Sequence, residues 1–441
     1  MSEKLLRAMT KELPIHRGNG RLWVEAKAIY DTDMGQTLTY HYMKDEKSKR
    51  LTILTNDTDD RTITVRKTKM VPIIDINNSD ITALYKGIDK VTIKIYTNKI
   101  VIEPLKELKK QMKAKGKLGS REITFVELFS GGGLLSKALT DAGMKSIGAV
   151  ELDQRYLSNY EANNPNTLTY LTSVAEMEYS ILPSSATVLA VGLPCECWTS
   201  CGIAKQKSIG KKSREAGETG SLGYFFLRTV EQLRPALILL EETVGIQNSA
   251  MLDIIKNVLV MFGYKISEKI LYAPDYGDMT KRRRYALVAT IKETPFEFSD
   301  QMQMNLNTVE NILEELPLEE RVWLDRDNSP TIKYSLEKEQ KHIQKGEGFR
   351  IARTYLKDTL TATVTKYYYK IQLTNPILCH PEKEDTFSLF TPRELARLQG
   401  MPEDFILPEH KTVAGEILGQ GVSYASFYQL GRDILKHLKG A

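Results

Sequence analysis

The sequence predicts a doubly wound α/β domain preceded by a smaller β-rich unit, and three observations carry this. From Ile123 onward, short and nearly unbroken apolar runs alternate with helical patterns. A triple glycine sits where the first of these runs turns into a helix. Before about position 120, apolar and polar residues instead alternate one by one. Unbroken runs belong to strands covered on both faces, as in a parallel sheet between helices, whereas period two marks strands with one wet face.

In chain order, RLTILT, RTITVRKT, MVPIIDI and KVTIKIYTNKIVIEPL read as strands between Asn/Asp-rich turns, which makes residues 18–105 the β-rich unit. The basic stretch LKELKKQMKAKGKLGS follows as a short helix and linker, giving an N-terminal domain of residues 1–119. ITFVELF is then a buried strand, GGGLLSKALTDAG a turn into a helix, and KSIGAVELD a second strand. SATVLAVGLP, PALILLEE and RYALVATI supply further strands, so residues 120–294 form the α/β domain. Regularity fails over 295–390, where DTLTATVTKYYYK is the best candidate for a strand, and 391–441 ends in the helical pattern YASFYQLGRDILKHL.

Composition bounds the protein class. The chain has 441 residues, 41% hydrophobic and 27% charged, with no apolar run of the roughly 18 residues a membrane span needs. MSEKLLRAMTKELP lacks the apolar core of a secretory signal, and four cysteines make no disulfide framework, so a cytoplasmic protein is expected. The net charge of +5 is uneven: residues 1–120 hold 24 Lys/Arg against 15 Asp/Glu, and the remainder 37 against 41. A basic end suits a phosphate-bearing partner, and equally a solvated face.

Two places carry chemistry. Gly131, Gly132 and Gly133 let the backbone approach a ligand at a helix N-terminus, and Glu151 ends the second strand, where a carboxylate can accept from a ribose diol. The spacing is not G-x-G-x-x-G, which points away from a dinucleotide. In VGLPCECWTSCG, Pro194 ends a strand and leaves Cys195 at its carboxyl edge, a nucleophile by position. Cys197 and Cys201 raise a zinc reading, but C-x-C-x3-C gives three ligands with Cys379 and His380 far off, so no metal is expected.

Taken in order, these motifs resemble the cytosine-C5 DNA methyltransferases of phage and bacterial type, over residues 122–441. Glu127-Leu128-Phe129-Ser130-Gly131-Gly132-Gly133 matches that family's D-L-F-x-G-x-G, Pro194-Cys195 its Pro-Cys, and LLEETVG its E-N-V. Thr280, Arg282 and Arg284 match Q-x-R-x-R. Thr391 through Pro402 match T-P-R-E-x-x-R-L-Q-G-[FM]-P, and Gly419 through Val422 match G-N-[AS]-V.

The resemblance implies a Rossmann-like domain that binds S-adenosyl-L-methionine and methylates C5 of a flipped-out cytosine in double-stranded DNA through a covalent Cys195–C6 adduct. It implies cofactor contacts from Phe129, Ser130, Gly131, Gly132, Gly133, Leu134, Glu151, Leu152, Ser173, Val174, Gly192, Pro194, Gly421 and Val422. Cys195, Arg282 and Arg284 would be catalytic, with Glu241 or Glu242 as the acid. Ungapped counting favours Glu241, and strand alternation lets only one of the two face the pocket. A mobile loop carrying Lys205, Lys207, Lys211, Lys212 and Arg214 would close on DNA phosphates. Residues 295–390 would be a small target-recognition domain, touching DNA through Lys366 and Lys370 around Tyr367–Tyr369, or these tyrosines would simply pack in a small sheet.

Glu196, Thr280 and Ser173 depart from the family's Gln, Gln and Asp. Two alternatives stay open: a catalytically silent DNA-binding regulator on this scaffold, and an RNA (tRNA) cytosine-C5 methyltransferase. Residues 1–119 are expected to add a DNA contact, to dimerise, or only to stabilise.

Overall fold

The computed structural model describes residues 4–16, 19–55, 61–66, 70–88, 90–104, 122–194, 218–300 and 307–440, with the side chains of 218–220 left aside. The chain divides into two compact units, Met1–Lys113 and Ala114–Ala441.

The first unit is built from antiparallel strands in a six-stranded and a four-stranded sheet. Their alternate apolar residues, among them Leu22, Ile53, Ile74, Ile93 and Ile102, meet in one core with no exposed surface. The unit begins earlier than the sequence pattern indicated, with a strand at Leu5–Glu12 along Lys90–Tyr96. A register shift between Leu5 and Arg7 breaks the period of two there, and the strand buries only Leu6 and Met9 in part. That is why alternation did not reveal it.

The second unit is organised by a seven-stranded sheet. Its strands are β1 (Thr124–Leu128), β2 (Lys145–Glu151), β3 (Leu168–Leu171), β4 (Val188–Gly192), β5 (Leu237–Glu242), β6 (Lys265–Tyr272) and β7 (Arg283–Thr290), in the order β3-β2-β1-β4-β5-β7-β6. β1 to β5 are parallel, and β7 runs antiparallel between β5 and β6. The order reverses between β1 and β4, which opens a crevice beyond their carboxyl ends.

Both faces are covered. Phe125, Ala190, Leu237, Leu239, Ala286 and Val288 share one core with α1 (Leu134–Asp141). Val126, Leu128, Leu189, Val191, Ile238 and Leu240 share the other with α3 (Glu218–Leu233) and α4 (Ala250–Met261). α2 (Gln154–Asn163) follows β2.

A small separate core lies in the region after β7. Ile332, Leu336, Ile351, Leu373, Ile377, Cys379 and Phe387 join α5 (Pro330–Gln344) to three short strands, Arg353–Thr354, Ile377–Cys379 and Phe387–Ser388. Other residues of 295–390, including Phe296, Val309, Val364, Tyr368 and Phe390, belong to the main core. α6 (Pro392–Leu398), α7 (Lys411–Gln420) and α8 (Tyr424–Lys439) close the unit.

DTLTATVTKYYYK is not a strand. Thr361 makes a single parallel bridge to Thr280, and Tyr368–Lys370 form a 3-10 turn. Its alternation arises because Val364 and Tyr368 are buried while Thr365 and Tyr367 are exposed, in a segment whose hydrogen bonds go to separate partners. The segment is held against α7 at Gly419, where a Cβ would lie 2.2 Å from the carbonyl carbon of Thr365 and 2.3 Å from the amide nitrogen of Lys366. Backbone on both sides leaves nothing flexible to yield. Gly419→Ala is therefore expected to lower stability by roughly 2–4 kcal/mol in denaturant titrations. Gly348→Ala, at a position with open space around it, should stay within about 0.5 kcal/mol.

Candidate active site

The glycine turn and the second strand meet at the crevice. Phe129, Gly131 and Gly133 adopt φ of 56°, 53° and 90°, the left-handed region in which glycine carries no penalty. Glu151 fixes this turn: its Oε2 accepts from the Gly131 N–H at 2.8 Å. Its Oε1 accepts from Leu152 N–H at 2.8 Å and Asp153 N–H at 2.9 Å. Gly132 packs against Ile417 of α7 so closely that a Cβ would lie 2.4 Å from that side chain.

Together these segments line a cavity of about 640 Å³, within the usual range for small-molecule sites. Phe129, Ser130, Gly131, Gly132, Leu134, Glu151, Leu152, Ser173, Val174, Gly192, Pro194, Gly421 and Val422 all reach its wall. Gly133 does not; it caps α1, close to Tyr160. Leu152 is 69% exposed, an apolar side chain left open at the mouth.

One wall residue was visible in the sequence only as a motif letter. Glu127, on β1, is buried at the cavity, and its Oε2 has no hydrogen-bond partner among the described residues. Burial, followed by the nearby Glu151, pushes its carboxyl well above the usual range. A single acid inside the apolar run FVELF was the available signal.

The end of β5 brings two more carboxyls. Alternation holds along the strand, with Leu237 and Leu239 in one core and Ile238 and Leu240 in the other. Yet both Glu241 and Glu242 line the cavity, against the expectation that only one could. The strand stops at the cavity edge, so side chains leaving from either face reach the same opening.

Their partners differ. Glu241 Oε1 pairs with Arg284 Nε at 2.7 Å, with both side chains about one-tenth exposed. Burial pushes the Glu241 carboxyl up, against the pull of Arg284 and then Arg282. Glu242 Oε2 accepts from the Thr243 N–H, while its Oε1 has no partner among the described residues. Burial, then Glu241, pushes Glu242 up to about 8.

The two motif arginines part company. Arg284 lines the cavity, but Arg282, expected beside it as a catalytic group, is 1% exposed and does not. Its Nη1 donates to Gly421 O at 2.7 Å. Its Nη2 donates to Val364 O at 2.8 Å, Gly419 O at 3.1 Å and Leu418 O at 3.3 Å. Arg282 is a positioning residue that ties the start of β7 to the end of α7.

Lys366 and Lys370 also separate. Lys366, expected on DNA, lies on the cavity wall with its Nζ 5.9 Å from the Tyr156 ring centroid. Lys370 lies outside the cavity, 4.4 Å over the Tyr367 ring. Tyr368 is buried, its hydroxyl donating to Pro376 O at 3.1 Å and accepting from Phe390 N–H at 2.9 Å. Thr280, in place of the family's Gln, is buried too and gives its N–H and hydroxyl to Asp278 Oδ1. Cys195, Cys197, Cys201, Lys205, Lys207, Lys211, Lys212 and Arg214 lie outside the described residues. Among the described residues, no helix is long and apolar enough to cross a membrane.

Residues 123–436 match the family of C-5 cytosine-specific DNA methylases. The chain is similar to the type II methyltransferase M.DsaV of Dactylococcopsis salina, 24% identical over 329 residues, or 72% of this chain and 87% of that protein. It is similar to M.HpaII of Haemophilus parainfluenzae, 24% identical over 338 residues, covering 72% and 90%. Among solved structures, the Entamoeba histolytica methyltransferase EhMeth shares the fold with a TM-score of 0.57 at 20% identity, covering 73% of this chain and 99% of that one. The family match runs from β1 into α8 and takes in all seven strands as well as the cavity they frame. On that ground the chain belongs to the C-5 cytosine-specific DNA methylases.

Proposed function

We propose that this chain methylates C5 of a cytosine swung out of duplex DNA, with S-adenosyl-L-methionine as donor and Cys195 as the transient nucleophile. The observation that carries this reading is one cavity whose wall holds both the glycine turn with Glu151 and the Glu241–Arg284 pair with Pro194. The first group suits a nucleoside with a ribose diol, and the second a polar base. Cys195 follows Pro194 directly in the chain. The cofactor supplies an electrophilic methyl group on a sulfonium.

C5 of cytosine is a weak nucleophile until something adds at C6. The Cys195 thiolate forms a bond to C6, and the displaced electron pair moves toward N3. Glu241, whose carboxyl burial pushes up against the pull of Arg284, gives N3 a proton as that charge develops. Arg284 then balances the carboxylate that Glu241 becomes. With the donor bound, its methyl carbon would pass to C5 as the carbon–sulfur bond breaks and a neutral thioether is left; a base removes the C5 proton, and those electrons expel the Cys195 sulfur while N3 returns its proton to Glu241. None of these contacts can form with the base inside the stack, so extrusion is required.

The test of the nucleophile is an adduct. DNA containing 5-fluorocytosine, incubated with protein and labelled cofactor, should yield a complex that survives denaturation. Cys195→Ser should abolish it and Cys197→Ser should retain it; a wild-type protein that gives no adduct on any duplex would refute the reading.

Glu241→Gln should lower kcat by roughly 10²–10⁴, while Glu242→Gln should stay within about tenfold of wild type. Single-turnover rates distinguish the two, and equal losses would remove the assignment. Glu242 also has a stability signature. Its folded-state value of about 8 lies above the ordinary 4.5, so the folded form keeps a proton that the unfolded chain loses. Stability should therefore fall as pH rises from about 4.5 to about 8 and level off beyond. Glu242→Gln should flatten this part of the Tm–pH curve and show its greatest relative gain near pH 8.

A further inference from the structure

The cavity wall is acidic. Among the described residues it carries five carboxyl side chains and only two cations, Arg284 and Lys366. Arg284 is already paired with Glu241. Lys366 pairs with no carboxylate of the described residues; its ammonium stands off the Tyr156 ring, and adds a minor pull to the lowering of the Asp153 carboxyl that Arg155 chiefly causes. A donor of the kind proposed above carries two positive groups, the sulfonium and the α-ammonium, and one negative group, the α-carboxylate. Carboxyls suit the first two. The carboxylate needs a cation, and the wall offers one that is not committed elsewhere.

The backbone beneath Lys366 is fixed as a binding group requires. Val364 O accepts from Arg282 at 2.8 Å, and Thr365 N–H donates to Asn375 Oδ1 at 2.7 Å. Thr365 O accepts from Tyr368 N–H at 3.1 Å, and the Thr365–Lys366 peptide lies against Gly419. A lysine that met phosphates from a loose surface segment would not need this anchoring. Here only the side chain keeps freedom, and its base is half-buried at the cavity edge.

We propose that Lys366 is a cofactor-binding residue that holds the α-carboxylate of the donor's amino-acid end. The inference rests on the adenosylmethionine reading and assigns a role that the sequence pattern had given to DNA.

Two ligands isolate the contact. S-adenosyl-L-homocysteine carries the amino-acid end, whereas 5′-methylthioadenosine has the same nucleoside and thioether without it. In calorimetric titrations of the full chain, Lys366→Ala should weaken S-adenosyl-L-homocysteine by roughly tenfold or more, the scale of one charge-assisted hydrogen bond. It should leave 5′-methylthioadenosine unchanged, and Lys366→Arg should recover most of the loss. Duplex DNA affinity, measured by fluorescence anisotropy without cofactor, should not move. Equal weakening of both nucleosides would overturn the proposal in favour of a structural role. Unchanged S-adenosyl-L-homocysteine binding with weakened DNA binding would overturn it in favour of a phosphate contact. Wild-type protein that binds neither nucleoside would instead remove the cofactor reading itself, and the proposal with it.

Discussion

Arg282 places a full positive charge inside the core and surrounds it with carbonyl oxygens. An unpaired buried ion costs several kcal/mol, so such a group survives only where its surroundings are polar and fixed. Here the surroundings are largely the carboxyl end of α7, whose last carbonyls lack intrahelical partners and carry the negative end of the helix dipole. The guanidinium satisfies them, and they stabilise it. Buried Asp278 adds a second source of negative potential beside it. The Nη1 and Nη2 donors of one planar group do what a lysine could not, because they reach carbonyls from two chain segments at once.

Much of the cavity is built outward from that point. Two residues along β7 from Arg282 is Arg284, the partner of Glu241. Two residues beyond Val364 is Lys366. Gly421, which accepts from Arg282 at 2.7 Å and from Arg284 at 3.4 Å, leads into Val422 on the cavity wall. A displacement of Arg282 therefore moves the acid's partner, the wall lysine and the α7 end together. The arginine motif has one member buried among carbonyls and one on the cavity wall, and the first sets the position of the second.

Much of this was legible in the sequence, and most of what was not shares one cause. Unbroken apolar runs identified β1, β2, β4, β5 and β7 because strands covered on both faces have no polar side to hide them. The glycine turn and Glu151 were legible because the backbone there needs left-handed angles, and an acid about twenty residues on is a spacing with a reason. Arg282 and Lys366 were assigned by neighbourhood in the chain, and each took its place from something distant: the α7 carbonyls and the Tyr156 ring. Glu242 reaches the cavity because β5 ends on it. The strand at Leu5–Glu12 was hidden differently, by a local register shift that erases the period used to find strands.

The acids around the cavity show how one set of like charges can coexist. Glu127, Glu151, Glu241 and Glu242 all line it, and four ionised carboxylates at such range would repel one another strongly. Burial is the leading cause of the upward shifts of Glu127, Glu241 and Glu242, and in each case another carboxyl or an arginine modifies the result. Three backbone N–H groups point at the oxygens of Glu151, which spend them on holding the glycine turn. On the proposed reading, Arg284 lets Glu241 give up and regain a proton, since the pull of the guanidinium opposes the burial that pushes the carboxyl up.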